Sequence, residues 1–184
     1  MHYFAYIVVV LLLLFSCQSS SSNLGFEVSD SLRTYTSEDW DYWTVRLGDL
    51  RGKWRTYTSE DWDYWEYELD GVRGKFRTYT SEDWDYWQMD NNLLSLRTYT
   101  SEDWDYWEIR ASGTFIKLRT NTSEDWDYWQ LSGDVQGTIK TYTAEDWDYW
   151  QLNTDLSGLS SAEKMAVLFV PVFASSIYMQ GICL

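Results

Sequence analysis

The chain has 184 residues, of which 29 are acidic and 14 basic, giving a net charge of −15, and Phe, Trp and Tyr make up 19% of it. This charge excludes nucleic acid and direct attraction to anionic lipid headgroups as modes of binding, because both need cationic patches. The aromatic content excludes an intrinsically disordered chain, and the two cysteines exclude a disulfide framework.

Residues 1–16 read as a targeting segment, with an apolar run from Ile7 to Phe15 leading into Ser16-Cys17, Gln18 and serines as far as Ser22. The pattern resembles a bacterial lipoprotein signal. That resemblance implies cleavage before Cys17, acylation of Cys17, a flexible tether over 17–25, and anchoring at the outer membrane with the protein periplasmic or surface-exposed. An ordinary secretory signal is the alternative, and export follows from either. With Cys17 lipidated, Cys183 is left alone.

From residue 33 onward an eleven-residue phrase recurs six times. The first copy is Arg33-Thr34-Tyr35-Thr36-Ser37-Glu38-Asp39-Trp40-Asp41-Tyr42-Trp43, and later copies begin at Arg55, Arg77, Arg97, Arg119 and Lys140. The fifth carries Asn121 in place of Tyr, and the sixth Ala144 in place of Ser. A type I turn over Ser37-Glu38-Asp39-Trp40 makes each copy a hairpin, with Leu32 opposite Val45, Arg33 opposite Thr44, Thr34 opposite Trp43, Tyr35 opposite Tyr42 and Thr36 opposite Asp41. In every copy this register puts apolar against apolar on one face, as in Trp54 with Tyr67 and Phe76 with Met89. On the other face charge or amide meets charge, as in Arg55 with Glu66 and Arg97 with Glu108. Between copies, Gly48-Asp49, Asp70-Gly71, Asn91-Asn92 and Ser112-Gly113 suit tight two-residue turns, and Gly133-Asp134-Val135 a three-residue version.

The expected fold class is therefore mainly β: an antiparallel meander of about twelve strands closed into a barrel over residues 26–156. A stagger of two residues per hairpin accumulates to about twelve, which implies a barrel of radius roughly 10 to 11 Å, too wide for side chains alone to fill. Residues 157–184 supply the filling. Ser160-Ser161-Ala162-Glu163 reads as a capping box, and Met165 to Met179 is apolar on every side, as expected for a helix along the barrel axis. A membrane span is the alternative, opposed by Pro171, Ser175 and Ser176 within the segment. Twelve antiparallel strands followed by a hydrophobic C-terminal helix resemble the tubby C-terminal domain, the LURP-one-related proteins and the phospholipid scramblases. The resemblance implies the barrel-around-helix fold and no functional residue. The open hairpin sheets of MORN proteins are a second comparison, but the Tyr-x-Gly-x-Trp pattern of those repeats is missing here.

Trp43, Trp65, Trp87, Trp107, Trp129 and Trp150 read as core. Candidate ligand contacts lie on the outward face: Tyr35, Tyr42, Tyr57, Tyr64, Tyr79, Tyr86, Tyr99, Tyr106, Tyr142 and Tyr149, with the Trp40-type residues at the turns, since aromatic rings beside Arg and Asp suit sugars. Glu38, Asp39 and Asp41 with their equivalents place up to eighteen carboxylates around one rim, weak candidates for a hard cation and stronger ones for a diffuse acidic field. Asp41 is expected to accept from Thr36 and its own turn. Thr34, Thr36 and their equivalents are placed on the Trp face, which counts against an ice-binding threonine ladder. The exported chain has no histidine, no Gly-rich phosphate loop and no nucleophile elbow. Six equivalent copies favour a scaffold over one asymmetric catalytic site. The expectation is a non-enzymatic, lipid-anchored envelope protein without a cofactor, whose partners are the membrane through Cys17 and a glycan or an envelope protein.

Overall fold

The computed structural model describes residues 30–89, 93–101 and 103–181. The signal peptide, Cys17, the tether, the Asn91-Asn92 turn, Glu102 and Cys183 lie outside the described residues. Twelve strands are formed: β1 Ser31–Thr34, β2 Tyr42–Leu47, β3 Leu50–Thr56, β4 Tyr64–Leu69, β5 Val72–Thr78, β6 Tyr86–Met89, β7 Leu94–Thr98, β8 Tyr106–Ala111, β9 Thr114–Thr120, β10 Tyr128–Gly133, β11 Gly137–Thr141 and β12 Tyr149–Thr154. Each pairs antiparallel with its sequence neighbours, and β1 with β12 closes the barrel through Leu32 opposite Trp150 and Arg33 opposite Tyr149.

The chemistry of the cross-strand pairs sets the register. Leu32 faces Val45, Trp54 faces Tyr67, Phe76 faces Met89 and Leu96 faces Ile109 on the inner wall, while Arg55 faces Glu66 and Arg97 faces Glu108 outside. A slip of one residue would turn every indole to solvent, so the burial of these rings holds the alignment. Arg33 pairs with Thr44 and Thr44 with Lys53, two residues short of the repeat-equivalent Arg55. The same stagger separates Thr138, reached from Arg119 through Gln130, from Lys140. Repeated six times, this stagger tilts the strands and sets a radius of roughly 10 Å.

Three local expectations are corrected. The turn within each copy is two consecutive turns, with Asp39 N–H donating to Thr36 O at 3.0 Å and Tyr42 N–H to Asp39 O at 3.2 Å. Glu38 between them has φ +63°, and its equivalents Glu60, Glu82, Glu124 and Glu145 have φ +61°. The ladder consequently stops at Thr34 and Trp43; Tyr35 adds one backbone bond to Tyr42, and Thr36 turns outward, leaving only the first threonine of each pair on the Trp face. The fifth link is also wider than three residues. Its ladder begins at Leu131 opposite Gly137, while Gly133 stays in β10 against Ile116 and Asp134 bonds Phe115 through both backbone and carboxylate.

The helix α1, Ser161–Met179, fills the barrel. Ser160 caps it by accepting from Glu163 N–H, and the Glu163 carboxylate accepts from Ser160 N–H in return. Residues from Met165 to Ile177 are buried without interruption, which is incompatible with a one-sided surface helix. Phe169 contacts Trp54, Trp65, Phe76 and Trp87 edge-on or tilted, with ring centroids 4.8 to 5.6 Å away. Phe173 meets Trp84, Trp87, Trp104 and Trp107, and Tyr178 meets Trp126 and Trp147. On the remaining side, Ser176 Oγ lies 2.8 Å from Val172 O and 3.0 Å from Trp40 O, and accepts from Trp43 Nε1 at 3.3 Å. All six hairpins thus touch the helix. It is long and apolar enough to cross a membrane, yet those apolar residues are spent on the barrel interior. Small residues shape the wall around it: a Cβ at Gly74 would run into the ring of Tyr67, which needs that space to lie inside.

Candidate functional site

The barrel has two unlike ends. The six Ser-Glu-Asp-Trp-Asp segments, the last with Ala144 for Ser, carry eighteen of the 29 acidic residues and none of the 14 basic ones, and the described residues of these segments lie at one rim. The rest of the chain carries 11 acids against 14 bases. The negative potential is therefore concentrated at one rim, where α1 also ends without a basic residue in its last turn.

The rim is ordered by carboxylates that bridge neighbouring copies. Asp41 was expected to serve its own turn; instead it accepts from Thr56 Oγ1 at 2.7 Å, Ser59 Oγ at 2.8 Å and Glu60 N–H at 2.9 Å, all in the next copy. The left-handed Glu is thus explained: its backbone points an N–H at the neighbour's carboxylate. Asp63 takes Ser81, Glu82 N–H and Trp84 Nε1, and Asp105 takes Ser123, Glu124 N–H and Trp126 Nε1. Asp148 repeats the pattern across the closure, accepting from Thr34 Oγ1, Ser37 Oγ and Glu38 N–H.

The seam between copies five and six departs from this. Ala144 has no hydroxyl, and among the described residues Asp127 receives one donor from the next copy's turn, Glu145 N–H at 3.2 Å. Asp125 turns to it instead. A hydrogen bond to Asp127, then burial, then the charges of Asp127 and Asp105 push the Asp125 carboxyl up to about 6. Among the described residues no group of three or more His, Cys, Asp or Glu side chains is gathered to hold a metal ion.

The tyrosines stand where alternation predicts. Tyr35 and Tyr42 stack with centroids 4.7 Å apart, Tyr57 and Tyr64 at 4.6 Å, Tyr99 and Tyr106 at 4.7 Å, Tyr142 and Tyr149 at 5.2 Å, and Tyr79 and Tyr86 sit wider at 5.5 Å and 43°. The first ring of each pair is the exposed one, at 56 to 66%, and the second is half-buried beneath it. In the fifth copy Asn121 replaces the outer ring and accepts from Gln130 Nε2. The Trp40-type residues do not join these rows. Trp40 and Trp62 are buried and the other four are packed against the core, because the double turn folds each indole back over the barrel mouth.

Two features escape a sequence reading. Lys75 Nζ sits 5.3 Å from the centroids of both Tyr57 and Tyr64, and Lys117 Nζ 5.7 Å from that of Tyr106, so an ammonium rests on the tyrosine pairs. Tyr64 and Tyr106 raise the pKa of these lysines, each through a hydrogen bond. Glu108, whose pairing with Arg97 the register already gives, is only 3% exposed and holds Arg110 as well, at 2.8 Å against 3.4 Å for Arg97. Burial pushes its carboxyl up, but the two guanidiniums more than offset this and leave it below the usual range. Grooves run between copies beside the pairs: one of about 600 Å³ is lined by Asp83, Asp85, Tyr86, Arg97 and Arg110, and one of about 250 Å³ by the equivalent Asp103, Asp105, Tyr106 and Arg119. No protein-family model matches this chain, and no curated protein or solved structure matches it either.

Proposed function

We propose that this chain is a non-enzymatic, lipid-anchored protein of the bacterial cell envelope whose barrel is a rigid scaffold for binding. The observation that carries this reading is the set of five tyrosine pairs standing at one level on the outer wall, each beside a seam of Asp and Arg. Equivalent contacts at fixed spacing suit a repetitive partner, because several weak contacts on one rigid body add up without further ordering cost. The lipid on Cys17 supplies the membrane attachment. Trypsin shaving of intact cells, with Cys17→Ser as the unanchored control, tests the placement: loss of the anchored protein places the barrel outside the cell, and protection until the outer membrane is ruptured places it in the periplasm. Resistance of the Cys17→Ser control to release from membranes would contradict the anchor.

A carbohydrate-binding reading is favoured by the open outer faces of Tyr35, Tyr57, Tyr79, Tyr99 and Tyr142, and rests on tyrosine alone now that the Trp40-type rings lie in the core. In a glycan-binding screen, replacing these five tyrosines by alanine is expected to abolish a sugar signal while the fold persists. An unchanged signal would remove the rings from the site. The acidic rim is a further surface that concentrates cations diffusely, its Asp41-type carboxylates being occupied by hydrogen bonds from the next copy.

A further inference from the structure

The six copies serve as internal comparisons for one another. In the second, Lys75 lies opposite Glu66 and reaches back over Tyr57 and Tyr64; in the fourth, Lys117 lies opposite Glu108 and reaches Tyr106. The first copy has Lys53 at the same register, opposite Thr44. At the seam between the third and fourth copies that position is Ser95, opposite Gln88.

Three observations converge there. The groove of about 600 Å³ opens at this seam, lined by Ser95, Tyr86, Asp83 and Asp85. Tyr86 on its wall forms with Tyr79 the most splayed of the five pairs, 5.5 Å and 43° against 4.6 Å and 25° for the pair beneath Lys75. The two arginines on its wall, Arg97 and Arg110, share the single carboxylate of Glu108, so together with Asp83 and Asp85 these groups leave one negative charge in excess at the groove. Gln88 Nε2 donates to the Tyr86 hydroxyl at 3.3 Å, which ties down that ring. A tyrosine face attracts a cation by its quadrupole, and nearby carboxylates add to the attraction.

We infer that the groove between the third and fourth copies binds an alkylammonium group from outside the chain, seated over Tyr79 and Tyr86 where Lys75 and Lys117 seat their own. The ammonium can come from a lysine of a basic polypeptide or from a free amine, and the shared chemistry is a primary ammonium on a short alkyl stem. This deepens the reading of the outer wall as a binding surface and rests on it.

The test titrates the full chain carrying Cys17→Ser with n-butylammonium chloride and follows the tyrosine ring protons by NMR, with sodium chloride and 1-butanol as matched controls. Tyr79 and Tyr86 are expected to shift saturably while Tyr57 and Tyr64 do not. Ser95→Lys, a change to the residue that the second and fourth copies already carry there, is expected to weaken the response about fivefold or more by filling the place from within. Lys75→Ser is expected to make Tyr57 and Tyr64 responsive. Trilysine in place of butylammonium separates the sources: binding more than about tenfold tighter points to a basic polypeptide, and equal binding to a free amine. Equal shifts at all pairs would reduce the effect to the acidic rim and overturn the inference, as would an unchanged response in Ser95→Lys. Loss of the ammonium response alone, with glycan or cell-surface binding retained, would leave the scaffold reading standing.

Discussion

The seam that closes the barrel and the seam between the fifth and sixth copies are built from almost the same residues, yet they differ in how they are held. At the closure no turn links β12 to β1, and Asp148 gathers three donors at 2.7 to 3.0 Å. At the other seam the chain is continuous, and among the described residues Asp127 gathers one from the next copy's turn, at 3.2 Å, with Asp125 hydrogen-bonded to it. Covalent continuity and seam quality are therefore separate properties. A closed sheet of repeats has no weakest point at its ends; its weakest point is set by whichever copy has lost a side chain.

The largest test removes what every seam leans on. Deleting the residues after Leu156 takes away the helix and leaves a ring of indoles facing an empty axis, so cooperative unfolding is expected to disappear and the sheet to aggregate; a soluble truncation with a sharp denaturant transition would refute the axial packing. Asp148→Ala strikes the closure and is expected to cost about 1 to 2 kcal/mol in chemical denaturation, since it strands the buried Thr34 hydroxyl and releases the exposed Ser37 Oγ and Glu38 N–H to water. Asp127→Ala at the poorer seam should cost less than half of that, and equal costs would erase the distinction drawn between them. In the other direction, Ala144→Ser restores the missing hydroxyl and should stabilise by about 0.5 to 1.5 kcal/mol.

The smallest effect is a pH dependence confined to one seam. Asp125 is held above its ordinary value in the folded protein, so its contribution is fully present below pH 4 and is lost as the pH rises through about 6. Amide exchange around Asp125 and Glu145 is expected to quicken between pH 5 and pH 7, after correction for intrinsic rates, more than at the equivalent closure residues. Ala144→Ser should flatten that difference. Glu108 runs the opposite way: held below its usual range by Arg110 and Arg97, it contributes stability that is present at neutral pH and lost on acidification.

The strands and their pairing were legible because alternation is a two-valued property and six copies vote on it. Leu, Trp, Phe and Ile opposite Val, Tyr, Met and Ile cannot be satisfied in the other register, and the residue-by-residue pairs at Trp54 with Tyr67 or Arg97 with Glu108 followed directly. The helix was legible because an all-round apolar segment and a too-wide barrel each lacked what the other offered. The turns were not. Side-chain direction ceases to alternate once φ becomes positive at Glu38, so Trp40 was placed outside and Thr36 inside when the reverse holds. Nor could the carboxylate bridges be read, because Asp41 is equally near its own turn in sequence and the next copy's turn in space. Of the candidate site, the tyrosine rows were visible from alternation one residue past the ladder. The vacancy at Ser95 becomes visible only after the register aligns it with Lys75 and Lys117.

The direction of the first strand decides at which end the chain enters the barrel. Strand β1 runs from Asp30, which accepts from Gly48 N–H beside a tight turn, toward the carboxylate-bearing rim. The described chain therefore enters the barrel at its less acidic foot, and the carboxylates of the repeated Glu-Asp-Trp-Asp segments lie at the opposite mouth. Whatever meets that mouth end-on meets the charged rim first, and the tyrosine pairs just below it next.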